Sequence, residues 1–416
     1  MTLIINIKHL FQVEHDEQVR CVKGAAMQTL TTIDNAYVYI KNGLIADFGS
    51  MSNLPETYFS QTKHVIEAQG LSVLPTWCDS HTHIVYAGSR EKEFVLRIKG
   101  ATYEEIAAAG GGILNSANLL AETPEEVLFE QALGRIEEMI AMGTGAIEIK
   151  SGYGLSVEGE LKMLRVIRQL KNKAKVPIRA NFLGAHALPS AYKQNRTAYV
   201  RLLTDTLLPQ IAEEGLADFI DVFCDRGFFT VEETAVILAA GAKYDLRPKI
   251  HANELAYSGG IQVGVEYGAL SVDHLECVGD AEIACLLASE TMPTLLPSTA
   301  FFLNLSYAPA RKMIDAGLPV ALATDYNPGS SPSGNMPLIL SLACTQMKML
   351  PEESLHAATI NGAYAMGLER ELGTIARGKR ANLQMLSLPS LAYLPYSFGS
   401  RLVEKVLLDG EVVVGR

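Results

Sequence analysis

No window of the 416-residue chain reaches the roughly 18 consecutive uncharged apolar residues that a membrane-spanning helix needs. The opening stretch MTLIINIKHLFQVEHDE has too short an apolar run, and turns acidic too soon, for a signal peptide. A soluble, cytoplasmic protein is therefore expected. Basic residues are scarce: 35 Lys and Arg face 46 Asp and Glu, a formal net charge of −11, and they form no block. Phosphate backbones are bound by clustered cations, so a nucleic-acid partner is not expected and a small substrate is. Six cysteines are scattered without CxxC spacing, too sparse for a disulfide scaffold, and most are expected as buried free thiols. No glycine-rich nucleotide fingerprint follows any apolar run, and no internal repeat or low-complexity tract is present.

What is present is a large apolar fraction, 48% of residues, enough for one large domain and a smaller one. Residues 1 to 70 alternate short β-like runs with Asn, Gly and Asp turn signals, and read as part of a small β unit. From 71 to 365 apolar runs of five to eight residues alternate with amphipathic segments of helical period, the pattern of βα repeats on a parallel sheet. Eight strands are predicted: Leu71 to His83, Gly145 to Tyr153, Ile178 to His186, Phe219 to Asp225, Pro248 to Glu254, Ser271 to Leu275, Met292 to Leu296 and Pro319 to Asp325. Helices are predicted at Pro124 to Met142, Val157 to Leu170, Thr197 to Glu214, Val231 to Tyr244 and Met336 to Leu350. That count and spacing give an α/β fold, a (β/α)8 TIM barrel, in preference to a doubly wound sheet. Residues 366 to 416 return to β texture, with a DG hairpin signal. Both chain ends are expected to build one small β-sandwich domain with the barrel inserted.

A barrel's active site lies at the C-terminal ends of its strands. In "DSHTHIVYAGSREKEF" His81 and His83 end the first predicted strand; the side-chain period of two puts both imidazoles on one face, roughly 7 Å apart along the backbone. His186, His251 with Glu254, His274 and Asp325 end the third, fifth, sixth and eighth strands. The other histidines, His9, His15, His64 and His356, read as surface or packing residues. A lone histidine closing a strand is more often structural than a ligand. Five on one face with a buried aspartate reverse that balance, because ionisable groups are costly to bury without a partner. Three imidazoles and a carboxylate suit Zn2+ or iron, so His81, His83, His251 and Asp325 are assigned to one metal.

The strings HTHIVYAGSREKEF, GATYEEIAAAGGGI, EIKSGYGL, FLGAHALP, HANELAYSGG, SVDHLE and DYNPGSSPSGNM together resemble the imidazolonepropionases, a family of the amidohydrolase superfamily. The resemblance extends over nearly the whole chain. It implies hydrolytic ring opening of 4-imidazolone-5-propanoate to N-formimidoyl-L-glutamate in histidine degradation, one zinc or iron on the same four ligands, and a homodimer. It further implies substrate contacts from Arg90, Tyr153, His186, Glu254, Asn327, Gly329 and Ser330. Binuclear relatives carry a carboxylated lysine on strand 4; here Cys224 and Asp225 stand there, so a single metal is expected. Lys150, on strand 2, is read as a salt-bridge partner of Glu148 or another neighbour. Ser80 stands where the family usually has proline, and Tyr326 where phenylalanine is commoner.

The expected chemistry is attack of metal-activated hydroxide on the ring carbonyl, since a bound cation lowers the pKa of water from 15.7 towards ~7. His274 is expected to stabilise the oxyanion, and Glu254 to move the proton from water to the leaving nitrogen, with Asp325 as the competing base. Arg90 is the expected anchor of the propanoate. The NPGSS turn can offer N–H groups to an anion, and Ala107 to Ile113 reads as a lid or a linker. The rival functions are another cyclic amidohydrolase or nucleobase deaminase of the superfamily, and an inactive assembly barrel. The last is disfavoured because such proteins lose ligands that this chain keeps.

Overall fold

The structure, a computed structural model, describes residues 1–16, 18–101, 105 and 111–415. The proposed lid segment lies for the most part outside the described residues. The first five strands are β1 (Thr2–Phe11), β2 (Thr32–Lys41), β3 (Leu44–Ser50), β4 (His64–Glu67) and β5 (Ser72–Pro75). Eight parallel strands follow: β6 (Trp77–Asp79), β7 (Thr144–Lys150), β8 (Ile178–Ala185), β9 (Phe219–Cys224), β10 (Arg247–Ala252), β11 (Ser271–His274), β12 (Met292–Leu295) and β13 (Ala321–Leu322). The last three are β14 (Leu383–Leu386), β15 (Val403–Leu408) and β16 (Glu411–Gly415).

β6 to β13 pair in sequence order, each with the next. The ring closes through a Thr82–Tyr326 bridge, with the Asp325 N–H on His81 O at 3.0 Å and the His83 N–H on Tyr326 O at 2.9 Å. Three of the four predicted metal ligands, His81, His83 and Asp325, therefore lie at the seam. The other strands form one sheet in the order β16, β15, β14, β5, β1, β2, β3, with β4 beside β1. A Leu44–Arg380 bridge joins β3 to the segment before β14, so the sheet wraps round its own core of Ile4, Leu10, Val38, Phe48, Leu383 and Leu407. Its two hairpins use Asn42-Gly43 and Asp409-Gly410, all four residues with φ between 48° and 79°, which is the turn geometry that matches strand twist.

One predicted strand is really two. Leu71 to His83 splits at Pro75-Thr76: Ser72–Pro75 pairs with β14 in the terminal sheet, while Trp77–Asp79 pairs with β7 in the barrel. The proline cannot donate to a ladder, and Thr76 donates instead to Asn382 O at 3.1 Å. The eighth strand is also shorter than predicted, two residues in place of seven. Between β10 and β13 the helices are Gly260–Glu266, Asp280–Leu287, Pro297–Leu303 and Ala310–Asp315, too brief to show a helical period. All six cysteines are free, but only Cys78 and Cys224 are buried. The expectation of mostly buried thiols fails because the other four lie on helices and loops that only half cover them. Among the described residues no helix is long and apolar enough to cross a membrane.

Candidate metal centre

The site is assembled by the barrel's closure. At the end of β6 the Asp79 carboxylate accepts the Thr324 N–H at 3.0 Å and the Thr324 hydroxyl at 2.6 Å, which fixes residues 323–326 beside 80–83. His81 Nε2 then lies 3.3 Å from His83 Nε2 and 3.5 Å from Asp325 Oδ1, and His83 Nε2 is also 3.5 Å from that oxygen. His251 stands inside β10, with its ring centroid 4.5 Å from that of His81. Donor atoms of His81, His83 and Asp325 lie within 4.8 Å of one another, and so do those of His81, His251 and His274. The four predicted ligands are thus brought together, and His274, read from sequence as an oxyanion stabiliser, is as close to His81 and His251 as a ligand would be.

The protonation states suit a cation. His81 Nδ1–H donates to Asp273 Oδ2 at 2.6 Å and His251 Nδ1–H to Asp221 Oδ1 at 3.0 Å. Each bond selects the tautomer with its Nε2 lone pair facing the cluster, the arrangement typical of metal-ligating histidines. His251 Nε2 is buried with no partner among the described residues, an open position that a cation would fill. Burial, with neighbouring cationic groups second, holds His81, His83 and His274 well below the usual imidazole value, so all are neutral near pH 7. His274 (φ 85°) and Asp325 (φ 51°) are non-glycine residues in left-handed backbone. Such conformations cost on the order of 1–3 kcal/mol and gather at functional sites.

A cavity of about 160 Å³ opens onto this cluster. All seven predicted contact residues line it, together with Arg97, Phe223 and Phe228, while His81 lies behind the wall. His186 stacks on His83 at 5.2 Å and donates Nδ1–H to Gly152 O at 3.1 Å. Tyr153 rides on a loop held by buried Glu160, whose carboxylate accepts the N–H groups of Gly152, Gly154 and Leu155 at 2.8 to 3.2 Å. Glu254 sits two residues past β10, with Oε2 3.8 Å from His274 Nδ1; burial and the Asp325 charge push it up to about 8. Glu276, given no role from sequence, lies 3.9 Å from the same nitrogen and is raised by burial and by Glu254.

One expectation is corrected. The N–H groups of Gly329 and Ser330, expected to be open to an anion, both donate to Asn327 Oδ1 at 2.8 Å; the asparagine closes its own turn. Arg90 lines the cavity, and its Nη2 donates to Glu93 at 2.5 Å.

Compared with known proteins, residues 72–413 match the amidohydrolase family. The chain is 56% identical to the imidazolonepropionase of Flavobacterium johnsoniae over 99% of its own length and 100% of that protein's, and 52% identical to that of Christiangramia forsetii with the same coverage. The chain belongs to the imidazolonepropionase family. Among solved structures it is similar to 5-methylcytosine deaminase from Klebsiella pneumoniae liganded with phosphonocytosine (TM-score 0.75, 18% identity, 100% of this chain and 98% of that one). It is also similar to a variant of atrazine chlorohydrolase from Arthrobacter aurescens complexed with zinc and atraton (TM-score 0.74, 16% identity, 100% and 95%). At such identities the likeness is one of fold.

Beneath the ligands this imidazolonepropionase-family barrel carries a layer of charge where barrels usually stack aliphatic side chains. Lys150 Nζ lies 2.6 Å from Glu148, 2.8 Å from Asp221 and 3.5 Å from Asp273, as the salt-bridge reading of this lysine expected. Lys249 Nζ pairs with Glu148 and donates to Ser80 O and Ala365 O at 3.0 and 3.1 Å. All five side chains are buried. Because Asp221 and Asp273 also hold His251 and His81, the network orients the ligands. Its signal in sequence is charge at alternate positions of apolar strands, as in EIK and KIH. Asp221→Asn is expected to weaken metal affinity by about 10- to 100-fold with the fold kept, measured by competition with a chelator; unchanged affinity would remove the orienting role.

Proposed function

We propose that this amidohydrolase opens the ring of 4-imidazolone-5-propanoate by hydrolysis of a cyclic amide C–N bond, giving N-formimidoyl-L-glutamate in histidine degradation. The observation that carries the proposal is near-full-length identity to imidazolonepropionases in a chain whose imidazole cluster faces a cavity with an arginine at its wall.

His81, His83, His251 and Asp325 would hold one zinc or iron, with His274 near enough to join or to face the substrate. Bound there, a divalent cation supplies Lewis acidity and water of pKa near ~7. The chain's own residues do the rest. His274 is placed to hydrogen-bond the oxygen that becomes anionic as the carbonyl is attacked. With a cation's positive charge bound nearby to offset the burial and the Asp325 charge that raise its carboxyl to about 8, Glu254 would be ionised, accept the proton of the attacking water and return it to the leaving ring nitrogen. It suits that role better than Asp325, whose Oδ2 already accepts the Thr299 hydroxyl at 2.5 Å and whose Oδ1 faces two histidines. Tyr153 and His186 orient the ring, Phe223 and Phe228 exclude bulk water, and Arg90 anchors the propanoate.

Glu254→Gln is expected to lower kcat by about 100- to 10,000-fold with metal content unchanged; kcat within a few-fold of the parent would move the base to Asp325. The function itself is tested by absorbance assay on freshly made imidazolonepropanoate beside a panel of cyclic amides, cytosine and guanine. Turnover confined to a nucleobase would replace this reading with the deaminase one.

A further inference from the structure

Glu276 is buried beside the cluster, yet the proposed chemistry gives it no task. Its side chain is 4% exposed and does not line the cavity, whereas those of Glu254 and His274 do. Two consecutive left-handed residues, His274 (φ 85°) and Leu275 (φ 69°), end β11 and turn the chain, and position 276 comes back against the His274 ring. Bonds to the end of β10 hold this turn. Leu275 N–H donates to Ala252 O at 3.2 Å, Cys277 N–H to Asn253 O at 2.8 Å, and Asn253 Nδ2–H to Cys277 O at 2.9 Å. Glu276 is thus carried on a braced loop.

His274 Nδ1 and Glu276 Oε2 lie 3.9 Å apart, and both are sealed from solvent with no hydrogen-bond partner among the described residues. Unmet buried polar atoms are costly. Water reaches neither atom, so each is the partner open to the other, and a shift of about 1 Å brings them to hydrogen-bond distance. Glu254 Oε2 lies 3.8 Å from the same nitrogen, but Glu254 faces the cavity, where the attacking water needs it. An imidazole with no fixed partner can turn either edge to the cavity, and one that paired with Glu254 would occupy the base. Resting on the function proposed above, we propose that Glu276 is a positioning residue: it holds His274 Nδ1 from behind the cavity wall, fixes Nε2 towards the reacting oxygen, and leaves Glu254 free to move protons.

The test measures Glu276→Leu and Glu276→Gln on imidazolonepropanoate, each in the parent and in His274→Ala. Glu276→Leu is expected to lower kcat by about 10- to 100-fold, as loss of a partner behind an active-site histidine does, with KM and bound zinc unchanged. Glu276→Gln can still hydrogen-bond Nδ1 and should stay within a few-fold of the parent. In the His274→Ala background Glu276→Leu should cost almost nothing more, since the group it acts through is gone. Equal losses in both backgrounds, a rise in KM in step with the fall in kcat, or a glutamine variant no better than leucine would overturn the positioning role. Should leucine prevent folding, a crystal structure of the zinc-loaded parent decides: a Glu276 oxygen within about 3.2 Å of Nδ1 is expected, and an unclosed gap, or Nδ1 bound by Glu254 instead, overturns it. A parent that leaves imidazolonepropanoate intact would overturn the functional reading alone, because that structure reads the contact without turnover.

Discussion

Replacing His251 by alanine is expected to remove the bound cation and the ring-opening activity together. His251 is held inside β10 by Asp221, with its Nε2 presented to the cluster and no protein partner to satisfy it. Alanine deletes that donor without touching the closure at Asp79 and Thr324. Asp221 keeps Lys150 at 2.8 Å, so the fold is expected to survive. The loss in kcat/KM should be at least about 1,000-fold, equivalent to roughly 4 kcal/mol of transition-state stabilisation. Elemental analysis and an absorbance assay on the same preparation check both halves. A metal-free variant that still opened the ring would refute the ligand assignment.

Lys249→Met carries the largest expected effect on stability. The ammonium is buried against Glu148 and two backbone carbonyls. Its removal leaves two carbonyl oxygens and one carboxylate oxygen short of a donor, with three carboxylates facing Lys150 alone. Breaking one side of a buried ion pair costs about 3–5 kcal/mol, readable as a lowered urea midpoint. Adding Glu148→Gln should recover part of the loss by removing the stranded charge. A loss below about 1 kcal/mol would mean that the lysine does not compensate the carboxylates.

The barrel was legible because parallel strands buried on both faces read as short apolar runs, and the helices between β7 and β10 are long enough to show their period. The strands from β7 to β12 fall within a residue or two of the expectation at their starts. What escaped was the switch at Pro75-Thr76, since residues 72–79 are buried throughout and hydropathy cannot tell which sheet a buried strand joins. The short helices after β10 escaped for want of length. In the site, histidines at strand ends announced themselves. Asp221, Asp273 and Lys249 did not, because a charge inside a strand is ordinarily read as facing solvent; only ring closure turns alternate positions inward. Asn327 was visible, but that its side chain closes the turn on the Gly329 and Ser330 N–H groups depends on backbone geometry that composition does not encode.

The central claim is that side chains from separate strands converge on one divalent cation that the reaction requires. Titrating chelator-stripped protein with zinc, and separately with ferrous iron, while recording ring opening of imidazolonepropanoate tests it most directly. Activity should rise linearly and saturate at one equivalent per chain. Full activity in the stripped protein, or saturation only at two equivalents, would contradict it.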